Sequence, residues 1–287
     1  LGEDFKHFRL RAVAPDRLRA ILLGSLAASA LALSTPLAAG ALSPDCGNAT
    51  GTAVFDAGSN ALTCSGNQSP GISTFADTLF VIGLTGNITP SAGIHGIDLF
   101  GGNPVTLQST LGGFSIITTG AVAHGINADR QQGVTINHTG NISATGEGSF
   151  GIKGRSTQGE VAISSSGDIM TGEVGAGIFA NTTQGSIVIQ NNGDIAGGAN
   201  SSGIQATIDQ SGNGASISIT SNGNINLGGG FASTIAPAAC IYALGFNDVS
   251  IVSAGNISTE SDAVHGISAT TPSGNISIVT TGNISVM

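Results

Sequence analysis

Charge is what this sequence has least of. Only 9% of its 287 residues are Asp, Glu, Lys or Arg, and just 8 of those are basic. Five of the 8, Lys6, Arg9, Arg11, Arg17 and Arg19, stand within the first 19 positions. Beyond them only Arg130, Lys153 and Arg155 remain, against 14 acids. A surface that neutralises phosphates needs clustered cations, so nucleic-acid binding is excluded, and adsorption to anionic lipid with it. Tryptophan is absent. Without Trp-Asp pairs a propeller of that type is excluded, as are the leucine-rich repeat and the G-G-x-G-x-D calcium roll, whose consensus residues are missing. No Gly-Asp-Ser-Gly or Gly-x-Ser-x-Gly stretch occurs, which removes the usual setting of a serine nucleophile. Low charge alone would allow disorder, but a hydrophobic content of 40% argues against it. The 45 glycines, together with short bursts of Ile and Val, point to β-structure with many turns.

The N-terminus reads as an export signal. A basic stretch, residues 1–19, precedes an apolar run, Ala20–Leu33, and then the small residues Leu37-Ala38-Ala39-Gly40-Ala41. The run falls short of the roughly 20 residues that a bilayer span needs, and the order of basic, apolar and small segments is that of a secretory leader. Cleavage is expected after Ala41. Cys46 and Cys64 follow with 17 residues between them. In an oxidising compartment they can close a small loop. Cys240 stands where other repeats carry Gly and is expected to be a buried small residue.

Self-similarity dominates the remainder. Gly-Asn/Asp-Ile begins at Gly86, Gly140, Gly167, Gly193, Gly223, Gly255 and Gly282, with Gly120-Ala121-Val122 as a weaker copy. Spacings between these glycines are 34, 20, 27, 26, 30, 32 and 27. A second anchor, usually Gly-Ile, recurs at Ile97, Ile126, Ile152, Ile178, Ile204, Ile241 and Ile267. A third, an alternating apolar pair, recurs as Phe114/Ile116, Val134/Ile136, Val161/Ile163, Ile187/Ile189, Ile217/Ile219, Val249/Ile251 and Ile276/Ile278. Alternation is strand periodicity with one face buried. Each burst is too short to make a stable sheet alone, so three strands per turn of about 26 residues must coil and pair turn on turn. The expected fold is all-β, a right-handed parallel β-helix. Ile88, Ile142, Ile169, Ile195, Ile225, Ile257 and Ile284 should stack as one inward column, interrupted by Val122. Each triplet Gly suits a positive-φ corner, and the Asn or Asp after it can bond its own backbone. The expected organisation is a signal peptide at 1–41, an N-terminal cap region with the Cys46/Cys64 loop at 42–85, and about eight β-helix turns at 86–287.

A leader, a cysteine pair and Gly-Asn-Ile-Ser turns, as at 140–143 and 255–258, resemble the passenger domain of a bacterial autotransporter. That resemblance covers roughly residues 1–287. It implies an outer-membrane β-barrel translocator further along a longer chain, of which this sequence is expected to be a part lacking the barrel. It also implies display at the cell surface or release outside, as an adhesin or structural stalk. A host-surface or extracellular-matrix ligand would then be the partner. The alternatives are an enzyme acting on extracellular polysaccharide and a passive spacer for a function located further along the chain.

An enzyme on this scaffold needs clustered carboxylates and a nearby cation. Arg130, Lys153 and Arg155, beside Asp129 and Glu160, are the candidates for a small basic patch on neighbouring turns; a solvated ion-pair cluster is the preferred reading. His95, His124 and His265 share the position before the second-anchor Gly, and His95 and His124 should stack. A metal between them is conceivable, but an ordinary surface turn position is preferred. The sequons at Asn87, Asn141, Asn256 and Asn275 arise from the turn motif itself. No catalytic, cofactor or metal residue is assigned, and no enzyme activity is expected. Three segments read as insertions, Asp98–Gly113, Gln205–Ala215 and Leu227–Ala239, and loops on a rigid scaffold are where binding surfaces tend to lie.

Overall fold

Among the described residues three strand positions recur and pair turn on turn, the Gly-Ile and Val-x-Ile positions eight times each and the triplet position seven times with an isolated bridge at Ile88 before them. The computed structural model describes residues 52–56, 61–65, 71–75, 79–83, 86–210, 214–229, 239–260 and 265–286. All of them belong to one compact unit, Pro44–Met287. The expected leader, residues 1–41, and Cys46 lie outside the described residues, as does the side chain of Cys64.

The Gly-Ile strands form an eight-stranded parallel sheet. Its register runs Ile72↔Ile97↔Ile126↔Ile152↔Ile178↔Ile204↔Ile241↔Ile267. Eight strands enclose seven full turns of solenoid. The other two strand positions merge into a fifteen-stranded sheet. In the earlier turns they are one continuous strand, Val105–Thr118 and then Val134–Ala144. From Val161 onward each divides in two, as in Val161–Ser166 and Ile169–Thr171. Among the described residues the exception to parallel pairing is Thr52–Asp56, antiparallel to Ala61–Ser65. Ala61–Ser65 in turn pairs in parallel with Leu79–Gly83.

The short bursts become strands because turn-on-turn pairing satisfies backbone groups that a lone burst would leave open, while period-two alternation sends every second side chain inward. Ile97, Ile126, Ile152, Ile178, Ile204 and Ile241 are all fully buried. Burying such a side chain contributes about 1.5–3 kcal/mol.

The structure corrects the expected register of the second turn. Ile88 bridges Ile116, and Ile116 pairs with Ile142. The triplet column is therefore unbroken, with intervals of 28, 26, 27, 26, 30, 32 and 27 residues. Val122 is not in it: it sits in a turn and is 57% exposed. The partners of Val134 and Ile136 are Val105 and Leu107, not Phe114 and Ile116. Between Thr110 and Ser115 the register slips, so that residues 111–114 stand opposite Gly140 alone. The segment read as an insertion, Asp98–Gly113, is thus mostly strand, and its excess is a bulge. Such bulges absorb extra residues without moving the ladder on either side.

The expected positive-φ corner accounts for only part of the triplet column. Only Gly140 and Gly167 among the paired triplet glycines have positive φ, 137° and 128°. From Gly167 onward the constraint shared along the column is space. A Cβ on Gly193, Gly223, Gly255 or Gly282 would collide with the carbonyl of the Gly one turn earlier. The second-anchor glycines make room for the triplet column. A Cβ on Gly96, Gly125, Gly151, Gly177 or Gly203 would strike Cγ2 of Ile116, Ile142, Ile169, Ile195 or Ile225 respectively.

Candidate functional site

Two of the three candidate cations, Lys153 and Arg155, stand on the outward face of the Gly-Ile sheet. Asp98, Asn127, Lys153, Phe179, Gln205 and Tyr242 form one outward column. Asp129, Arg155 and Asn181 lie in the next. Arg155 reaches Asp129 at 3.7 Å, with both side chains nearly half exposed. An ion pair so exposed is screened and weak. Arg130 is not part of any patch: alternation turns it inward, where it is 2% exposed. Glu160 is exposed and lends its carbonyl to Val134 N–H at 2.9 Å. The five residues therefore do not converge.

The histidine column does assemble. His95 and His124 stack with ring centroids 4.7 Å apart, and Phe150 continues the stack at 4.8 Å from His124. Nδ1 of His95 accepts the backbone N–H of His124 at 3.0 Å, and Nδ1 of His124 accepts that of Phe150 at 3.1 Å. Both rings are thus neutral, with the proton on Nε2. Burial lowers both, assisted by the Lys153 charge, and takes His124 down to about 3. With Nδ1 committed to the backbone, the stack is a structural device. His265 pairs with Ala239 far along the sheet and is exposed. Among the described residues no group of three or more His, Cys, Asp and Glu is placed to hold a metal ion.

Sequence reasoning missed one pair. Ser109 and His138 occupy matching positions on successive turns, and Ser109 Oγ lies 2.6 Å from His138 Nδ1. That is nucleophile-to-base distance. Both residues are only 2% exposed, and burial holds the imidazole down to about 4. No substrate reaches a pair sealed inside the solenoid. The signal was present as the third inward position of the Val-x-Ile strand, which continues as Ser165, Asn191, Ser221 and Ser253. Cys240 does stand in the Gly column, between Gly203 and Gly266. It is fully buried, with Sγ 3.6 Å from the carbonyl of Ser258, and burial pushes its thiol up to about 12. A thiol so placed is not a nucleophile at neutral pH.

A surface groove of about 390 Å³ follows the outside of the triplet strands, across the turns that carry Ile116, Ile142, Ile169 and Ile195. Ile117 and Met170 face it, with Asp168 and Asp194 alongside. Here the Asn/Asp position does more than the local bonding expected of it. Each side-chain oxygen accepts the backbone N–H of its counterpart one turn on. The bonds run Asn141 to Asp168 at 2.9 Å, Asp168 to Asp194 at 3.0 Å, Asp194 to Asn224 at 2.7 Å and Asn224 to Asn256 at 3.0 Å. The ladder ends with Asn256 accepting from Asn283 at 3.0 Å. Most of the Leu227–Ala239 segment, residues 230–238, lies outside the described residues, as do 211–213 of Gln205–Ala215.

No protein-family model, curated protein or solved structure matches the chain. Its class rests on the fold itself: a parallel β-solenoid repeat protein.

Proposed function

We propose that this chain is the passenger part of an exported bacterial surface protein of the autotransporter type, acting as an adhesin or structural stalk. The observation that carries the reading is a parallel solenoid whose outward positions are largely uncharged and polar. On the Val-x-Ile strands one column runs Thr106, Thr135, Ala162, Val188, Ser218, Ser250 and Ser277, and the next runs Gln108, Asn137, Ser164, Gln190 and Thr220 before ending in Val252 and Val279, so neither column holds a charged side chain and most of their members are polar. Such a surface is soluble without a strong field, and the leader-like residues 1–41 supply the route out of the cytoplasm. An outer-membrane β-barrel in the longer chain would be the translocator, and a host-surface or extracellular-matrix ligand the partner.

The test is surface display. The full reading frame is expressed in a Gram-negative host with an epitope inserted at Gly102, where an added Cβ would meet only Gln131 Oε1, at an ordinary 3.6 Å. Antibody labelling of intact cells, abolished by deleting residues 1–41, is the expected result. An epitope reached only after lysis overturns the reading.

A further inference from the structure

We propose that the groove along the triplet strands is a docking site for an extended, cationic and amphipathic peptide segment of a partner protein. This deepens the reading of the chain as a displayed binding surface.

Ile117 and Met170 line the groove and are 36% and 47% exposed, although alternation gives the same strands ample polar alternatives. Asp168 and Asp194 stand beside them, exposed and one turn apart. Their ladder bonds use Oδ1 of each and leave the charge in place. No cation lines the groove. Lys153 and Arg155 belong to the other sheet and Arg130 points into the core. The occupant is therefore cationic, and a second copy of this acidic chain is repelled. No aromatic ring lines the groove either, so a sugar would have no face on which to stack, whereas aliphatic side chains have Ile117 and Met170. Four turns at about 4.8 Å span about 14 Å, the length of about four extended residues.

A second feature lies outside the lining of the groove. The turns leaving these strands carry Val122 and Val174, both exposed and both at φ 59°. A β-branched residue is strained in that region. The equivalent turns next to them hold Gly148 at φ 67° and Asn200 at φ 57°, so the turn itself does not require valine. Strain of this kind, with no burial in return, is characteristic of positions that make contact with something else.

The experiment uses the purified full chain and a fluorescent peptide alternating Leu and Lys, followed by anisotropy, with a Ser-Lys peptide of equal charge as comparison. The Leu-Lys peptide is expected to bind at least tenfold more tightly than the Ser-Lys peptide. Ile117→Ser with Met170→Ser should weaken it at least tenfold. Asp168→Asn with Asp194→Asn, which keeps every Oδ1 acceptor of the ladder and hence the fold, should do the same. Equal binding of the two peptides, no binding, or a wild-type affinity in either double variant overturns the proposal. So does tighter binding of a neutral oligosaccharide such as cellohexaose. Because the measurement is made in solution, a failure of surface display leaves it untouched, and its own failure leaves the display reading standing.

Discussion

Oδ1 of Asn141 accepts the backbone N–H of Asp168, its counterpart one turn along the solenoid, at 2.9 Å. The bond belongs to a ladder that ties successive corners together where the third strand begins. Asn141→Ala removes the acceptor and leaves a corner N–H to water alone. A loss of about 1 kcal/mol is expected. Asn141→Asp retains the oxygen and should cost less, since Asp168 and Asp194 already serve at the same position. Urea unfolding of both variants beside the wild type checks the difference. Equal losses would show that the bond adds nothing.

The turn column Val122, Gly148, Val174 and Asn200 makes a second prediction. All four have φ between 57° and 67°. Placing a β-branched residue there costs about 1–2 kcal/mol, and Asn tolerates it better. Val174→Asn should therefore raise stability by about 1 kcal/mol in urea unfolding. The same substitution should weaken binding of the Leu-Lys peptide if the side chain contacts the partner. Greater stability with unchanged binding would confine Val174 to a structural role.

These turns also show how far the sequence could be read. The solenoid, its three strand positions and the Gly-Ile register follow directly from period-two alternation and a fixed repeat, and the structure agrees at nearly every turn. Legibility failed where two residues of one motif had different jobs. Gly120-Ala121-Val122 looks like a triplet, but pairing is decided by Ile116, whose side chain fills the space beside Gly96. Composition could not reveal a bulge that sets residues 111–114 against Gly140. Arg130 was placed on the surface because arginine is seldom buried; parity along the strand, counted from Ile126 and Ala128, would have put it inside. The groove was not legible at all. It arises from the corner between two strand positions, and one-dimensional periodicity carries no information about concavity.

Acid should loosen the first half of the solenoid. Burial holds His138 down to about 4 and His124 down to about 3, both below the ordinary 6.5. Between pH 6.5 and 4 the unfolded chain takes up a proton at residue 138 that the folded chain refuses. The His138 contribution is therefore intact above about pH 7, is lost as the pH falls through that window, and changes no further below about 4, while that of His124 goes on falling to about pH 3. For His138 the loss amounts to about 3 kcal/mol. Urea unfolding at pH 7 and pH 4.5 should show a steeper decline in wild type than in His138→Leu, whose side chain fills the site without titrating. Parallel declines would remove His138 from the account.

Glycine substitutions separate space from backbone freedom. Gly193 does not have positive φ, yet a Cβ there would enter the carbonyl oxygen of Gly167. The collision is with backbone on an adjoining turn, so relief requires the turns to separate and the ladder bond from Asp194 N–H to Asp168 to lengthen. Gly193→Ala is expected to cost about 3 kcal/mol or more, in the range of overpacked sites. Gly102 also lacks positive φ, and a Cβ there meets only Gln131 Oε1 at 3.6 Å, an ordinary contact with a flexible side chain. Gly102→Ala should be neutral or slightly stabilising, because it restricts the unfolded chain. Thermal unfolding of the two variants distinguishes the explanations. If both lower Tm alike, glycine is present for flexibility. If only Gly193→Ala does, the repeat carries glycine because turns stacked at strand spacing leave no volume for a side chain.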